Sequence, residues 1–324
     1  KSQIILGDST EANVTKSRLI AFEELDNPYL VRGLTAHEVN EDFSEEDSAI
    51  ELIDLAFTYL DRGLYSQAAE NFSTALLLQS SNLDLDYFED FMDDDSLQQQ
   101  ELMLAFQELI LQDSSITGAN FYLSLIYYDR GDSASAKTFI NEYIIENPTD
   151  YRGEQLLASY LYDDENWLDA LSYFQRVIWK HPEIVDAHFG VGNCLLNRES
   201  FNDAIVAYTK VLDLDPYHHH AYYYSGFAHI ALEKYADAIP MFTKALMLDP
   251  DKEDTYYYLG LAYHKTNNQT RALEALNRTV KLNPENGFAQ YLLGSIYEDI
   301  LEVEKAISSY TLARKFAPEI LDVH

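Results

Sequence analysis

The densest run of metal-binding side chains in the chain is His218-His219-His220, close to Pro216. Together with His188 and Asp186 they would offer nitrogen and oxygen ligands of the kind zinc takes. Adjacent residues of a helix point in different directions, however, so three consecutive rings do not converge on one ion. A second cluster, Asp93-Asp94-Asp95, has the charge for calcium. A calcium loop needs alternating oxygen ligands, a turn glycine and a distal glutamate, and that order is absent. A solvated acidic face, or one that meets a basic partner, is the expectation there. The chain has no phosphate loop, nucleophile elbow or zinc-protease motif. Asn-x-Ser/Thr triplets at Asn71 and Asn277 fall inside expected helices, which argues against glycosylation. No catalytic residue, metal or cofactor is assigned, and the chain is not expected to be an enzyme.

The chemistry that remains is association. The chain carries 25 tyrosines and 16 phenylalanines, and 55 Asp+Glu against 22 Lys+Arg give a formal net charge of −33. Such a field repels phosphate backbones and anionic membranes, so nucleic acid is excluded as a partner class. It favours basic or amphipathic protein segments, or only keeps an exposed surface soluble. No apolar run reaches membrane-spanning length, and direct membrane insertion is not expected.

The elements that must position these rings follow from a period. Pro216, Pro250, Pro284 and Pro318 are each 34 residues apart, and the same grid takes in Pro182 and Pro148. Six of the eight prolines therefore share one phase, which points to stacked supersecondary units. If each proline is position 32 of its repeat, position 20 is Ala170, Ala204, Ala238, Ala272 and Ala306. Position 8 is Ala158, Gly192, Gly226, Gly260 and Gly294, and position 24 is Phe174, Tyr208, Phe242, Leu276 and Tyr310. Small residues recur where two helix backbones must approach, and large ones where a gap must be filled.

Leu259, Gly260 and Tyr263, then Ala272 and Pro284, resemble the L-G-x-x-Y … A … P pattern of tetratricopeptide repeats. The resemblance covers most of residues 49–320. It implies an all-α fold, an α-solenoid winding as a right-handed superhelix of about eight helix-turn-helix repeats. The repeats are 49–82, 83–116, 117–150, 151–184, 185–218, 219–252, 253–286 and 287–320. The second is degenerate: Asp86, Glu89, Asp90 and Asp93 occupy its usual first-helix core positions, and Leu83, Tyr87 and Phe91 lie one residue out of phase. Its first helix is either rotated or replaced by a loop, while Leu102, Phe106 and Leu109 mark a surviving second helix.

In such a stack the first helix of each pair lines the inner wall, and residues 34 apart form ladders along it. Positions 5, 6 and 9 give the candidate partner-binding residues: Phe121, Tyr122, Phe189, Asn193, Tyr223, Tyr224, Phe227, Tyr257, Tyr258 and Tyr291. Large rings with few rotors suit a peptide anchor. The alternative is that many of them pack between neighbouring first helices. Some tetratricopeptide domains bind carboxylate-ended tails through Lys and Asn on the first helices. Asn193 matches one such site, but Phe189 replaces the lysine four residues earlier, and inward basic residues are expected to be few, with Arg152 and Lys265 the main candidates. The implied function is a scaffold or adaptor that holds a partner segment in an aromatic, acidic-rimmed groove. The alternatives are a chaperone or assembly factor for secreted or envelope proteins, or an accessory domain of a larger enzyme.

Several local expectations complete the reading. Residues 1–48 carry eleven acids against four Lys+Arg, a composition that predicts weak order, with one short helix near residues 16–25 as an option. Gly63 and Gly131, each in an Asp-Arg-Gly turn, are expected left-handed caps between paired helices. Pro240 falls inside an expected second helix, where a tight first turn or slight kink should result. Residues 321–324 read as the truncated start of a capping helix, which leaves an open end suited to self-association. Cys194 is the single cysteine, expected as a buried small hydrophobe; with no signal peptide visible, a cytoplasmic location is expected, with the periplasm as alternative.

Overall fold

The computed structural model describes residues 45–78, 96–112 and 116–318. The proposed helix near residues 16–25, the first helix of 83–116 with Asp93-Asp94-Asp95, and residues 321–324 lie outside the described residues. The described residues form fifteen helices and no strand. None of these helices is long and apolar enough to cross a membrane. The chain divides into two compact units, residues 1–122 and 123–324.

The N-terminal unit holds α1 (Glu45–Asp61), α2 (Tyr65–Leu78), α3 (Ser96–Gln112) and the first residues of α4 (Gly118–Asp129). In α1, Leu52, Ala56 and Tyr59 fall on one face at helical spacing and are buried against Ala68, Phe72 and Ala75 of α2. Phe57 meets Phe72 edge-on at 5.1 Å. Phe106 of α3 stacks on Tyr122 at 5.4 Å, and Phe72 also reaches Tyr122 at 5.4 Å. Gly118 is required by close approach, since a Cβ there would lie 2.4 Å from the Ser73 carbonyl oxygen.

The C-terminal unit continues with α5 (Ser133–Glu146), α6 (Tyr151–Asp163), α7 (Trp167–Lys180), α8 (Val185–Asn197) and α9 (Phe201–Leu214). It ends with α10 (His219–Ala231), α11 (Tyr235–Leu248), α12 (Glu253–Lys265), α13 (Gln269–Leu282), α14 (Gly287–Asp299) and α15 (Val303–Phe316). Helices pair as hairpins, and each hairpin packs on the next, as a solenoid requires. The small-to-large complement seen along the grid is the packing rule. A Cβ on Gly192, Gly226, Gly260 or Gly294 would fall within 2.8 Å of Tyr208, Phe242, Leu276 or Tyr310 respectively. The large side chain lies directly on the helix backbone, and burying one such ring contributes about 1.5–3 kcal/mol.

Each first helix ends in the same turn. The N–H two residues past the cap reaches back five residues, as in Asn166 to the Leu161 carbonyl at 2.8 Å and Asn268 to the Tyr263 carbonyl at 2.8 Å. This motif needs one left-handed residue. Gly63 and Gly131 supply it at φ 69° and 78°, but Glu165, Glu199, Glu233, Asn267 and Leu301 hold φ between 58° and 62° at the equivalent places. Second helices stop because the residue before each proline is pushed out of the helical region, as Asp215 is at φ −128°, ψ 95°. Helix α11 runs through Pro240 without a break. Its first turn is tightened, with the Lys234 carbonyl accepting from both Asp237 and Ala238.

Candidate partner-binding face

The first helices of the C-terminal unit, α6, α8, α10, α12 and α14, bring the sequence-selected residues into two groups. Position 6 supplies rings that wedge between successive repeats. Tyr224 lies 5.8 Å from Phe189 and 6.1 Å from Tyr208, both of the preceding repeat. Tyr258 stacks on Phe242 at 5.9 Å and meets Tyr223 and Phe227 edge-on at 6.2 and 5.3 Å. Positions 5 and 9, Phe189, Asn193, Tyr223, Phe227, Tyr257 and Tyr291, are half-buried, and so are Tyr224 and Tyr258. In the N-terminal unit, Phe121 and Tyr122 are each 1% exposed and pack in the interior, so they present no open surface.

The rings carry no charge, and Glu253 and Asp254 of the first turn of α12 are close to them in sequence. Burial pushes the Tyr257 hydroxyl up to about 12, with the neighbouring Tyr258 adding to it. Burial likewise raises Tyr223 and Tyr258, helped by the Asp254 charge. These hydroxyls are therefore protonated donors at neutral pH. The Asp254 carboxyl is itself held above its ordinary value by burial and by Glu253 beside it. A cation placed there relieves both effects. Arg152 is engaged by Asp150, with Nε 2.9 Å from Oδ1.

The histidines do separate structural work. His218 caps α10, its Nδ1 accepting from the Ala221 N–H at 3.1 Å, and its ring lies 4.7 Å from Phe189. His219 approaches Asp249 at 3.8 Å, and His188 Nε2 bonds the Pro182 carbonyl at 2.9 Å. Among the described residues, no group of three or more His, Cys, Asp or Glu is placed to hold a metal ion.

One junction differs from the others. Position 6 is Tyr122, Leu156, Gly190, Tyr224, Tyr258 and Leu292 along the chain, so at Gly190 the wedge is missing. Phe174, whose own repeat has Ala158 at the usual glycine position, has its ring over Gly190, where a Cβ would meet it at 2.5 Å. Beside it opens a recess of about 240 Å³ between α6 and α8. Gln155, Ser159, Tyr162 and Asp163 line one side; Asp186, Phe189 and Asn193 line the other, with Phe174 and Gly190 between. Tyr128 donates to Asp163 Oδ2 at 2.5 Å, and Tyr208 to Asn193 Oδ1 at 2.8 Å. Behind Asn193, Cys194 is fully buried, and burial pushes its thiol up to about 12. Sequence reasoning reached Phe189 and Asn193 here. It named Asp186 only as a possible metal ligand and missed Gln155 and Asp163, although the break in the position-6 column at Gly190 marks the place.

Residues 156–219 match a tetratricopeptide repeat family model, and residues 231–311 match the family described as anaphase-promoting complex, cyclosome, subunit 3. Among similar solved structures is the C-terminal part of a TPR repeat-containing protein from Cytophaga hutchinsonii. It is 16% identical, with 72% of this chain and 96% of that chain covered at a TM-score of 0.59. PilF from Pseudomonas aeruginosa is 16% identical over 62% of this chain and 92% of its own, at 0.55. YrrB, described as a TPR protein with an unusual peptide-binding site, is 17% identical over 57% and 95%, at 0.50. At these identities the likeness is one of fold. No curated protein sequence matches the chain. With two family models lying on a ladder of helix hairpins that repeats every 34 residues, the chain is a tetratricopeptide repeat protein.

Proposed function

We propose that the C-terminal unit is a protein-interaction scaffold that binds an extended or helical segment of a partner across the face of its first helices. The observation that carries this is the row of half-buried rings at positions 5 and 9, Phe189, Tyr223, Phe227, Tyr257 and Tyr291, in successive repeats. Rings held by their neighbours offer contact area with little entropy left to lose, and protonated hydroxyls add donors for a backbone carbonyl. The acidic edge, with Asp254 held in an unfavourable charged state, supports a partner carrying Lys or Arg between apolar anchors. The role is binding rather than catalysis.

The test uses the rings at position 5 of three successive repeats. Tyr223→Ser, Tyr257→Ser and Tyr291→Ser are combined, and folding is checked by helical circular dichroism. Capture is then measured on an array of synthetic peptides of basic, acidic and apolar composition. The wild-type protein should retain peptides with apolar anchors and basic residues between them, and the folded triple variant should lose them. Equal capture by both proteins would reject the proposal.

A further inference from the structure

The recess at Gly190 has a chemistry of its own. At about 240 Å³ it is smaller than the roughly 300–1,000 Å³ typical of small-molecule sites, and it fits one side chain. Two of its walls are the rings of Phe174 and Phe189, and two carboxylates, Asp163 and Asp186, stand at its lining with no Lys or Arg among the lining residues. The Gln155 Oε1 atom is buried and accepts no hydrogen bond. A buried acceptor without a donor is costly, and a group that supplies donors there recovers the loss. Tyr128 occupies one oxygen of Asp163 and leaves Oδ1 for another donor.

We infer that this recess takes the cationic side chain of a lysine or arginine from the bound segment. The inference rests on the binding face proposed above and names what one of its subsites selects. Lys and Arg carry donors and no acceptors, which is the complement of an amide oxygen and two carboxylates. Their aliphatic stems lie along ring faces while the charge meets acids, and the rings themselves attract a cation. At this junction two features coincide: Gly190 removes the wedge, and Phe174 covers Gly190 without filling the space.

The probes are single blocked amino acids, Nα-acetyl methylamides of lysine, arginine, norleucine and glutamate, followed by amide NMR shifts. The lysine or arginine probe should give saturable shifts at Gly190 and Asn193, and the stronger of the two identifies the preferred side chain. Norleucine, with a similar stem and no charge, should bind about tenfold more weakly or not at all, and glutamate not at all. D163N/D186N, with an unchanged thermal melt, should weaken the cation by about tenfold or more. Equal shifts with norleucine, undiminished cation binding in D163N/D186N, or no shift with either cation would each overturn the inference. These probes are independent of any partner. Peptide capture that depends on Tyr223 and Tyr257 without a Gly190 shift removes the recess alone. A Gly190 shift without such capture removes the wider face and leaves the recess as an isolated cation site.

Discussion

Two junctions of the C-terminal unit are built from the same repeat positions and end differently. Between repeats 219–252 and 253–286, Tyr258 fills the joint against Tyr223, Phe227 and Phe242. Between repeats 151–184 and 185–218, Gly190 leaves it open, and the neighbouring Phe174 covers the backbone while a recess remains. A closed joint spends its aromatic surface on stacking. An open joint keeps polar groups accessible between the helices. Ring packing and open polar lining thus fall at different joints of one array.

Removing the wedge should show the largest effect. Tyr258→Ala leaves a gap on three rings and should cost about 2–4 kcal/mol in urea denaturation. A loss below about 1 kcal/mol would mean that the ring does not hold the joint. The reverse change comes next. Gly190→Tyr places a Cβ against Phe174 and should cost about 1–3 kcal/mol by overpacking. Adding Ala158→Gly gives Phe174 the seat that Tyr208, Phe242 and Tyr310 use, and most of the loss should return. A double variant A158G/G190Y no better than the sum of its parts would break the account of why the recess exists.

The turns give a smaller contrast. Glu199, in the open-joint repeat, holds φ 59°, whereas Asn267 holds φ 60° in the repeat that supplies Tyr258. Asparagine tolerates that region better than glutamate. Glu199→Gly should stabilise by about 1 kcal/mol and Asn267→Gly by only a few tenths, read as denaturation midpoints. Acid should give the smallest and most local effect. Burial holds His229 and His264 below their ordinary pKa, and each has a buried Nδ1 without a hydrogen-bond partner. The unfolded chain takes up these protons first. Their contribution is therefore complete above about pH 6.5 and is lost as pH falls toward the depressed folded values. Denaturation at about pH 7 and about pH 5 should show a smaller drop for H229Q/H264Q than for wild type.

Much of the fold was legible because its rules recur. Gly226 and Phe242 name each other by sitting 16 positions apart in one repeat, and three other repeats repeat the pairing. The turn at Gly63 was legible and the one at Leu301 was not, because the motif tolerates side chains that carry no turn signal. The binding face was less legible. Positions 5 and 6 differ by about 100° on a helix, and which one is covered depends on rings in the repeat before it. Tyr224 and Tyr258 read as inner-wall residues from their phase alone, and their ring contacts with Phe189 and Phe242 of the preceding repeats carry no sequence signal. The recess needed two facts held together, the small residue at 190 and the extra methyl at Ala158, and the sequence pattern treats them as separate columns.

The lone thiol gives the molecule a built-in clock. Cys194 sits one residue from Asn193, sealed from solvent and almost wholly protonated at neutral pH. A maleimide reaches it only during the moments when α8 lifts from its neighbours. Its labelling rate therefore times the breathing of the recess wall in the natural protein, with no reporter added, and an occupant that clamps that wall should slow the tick.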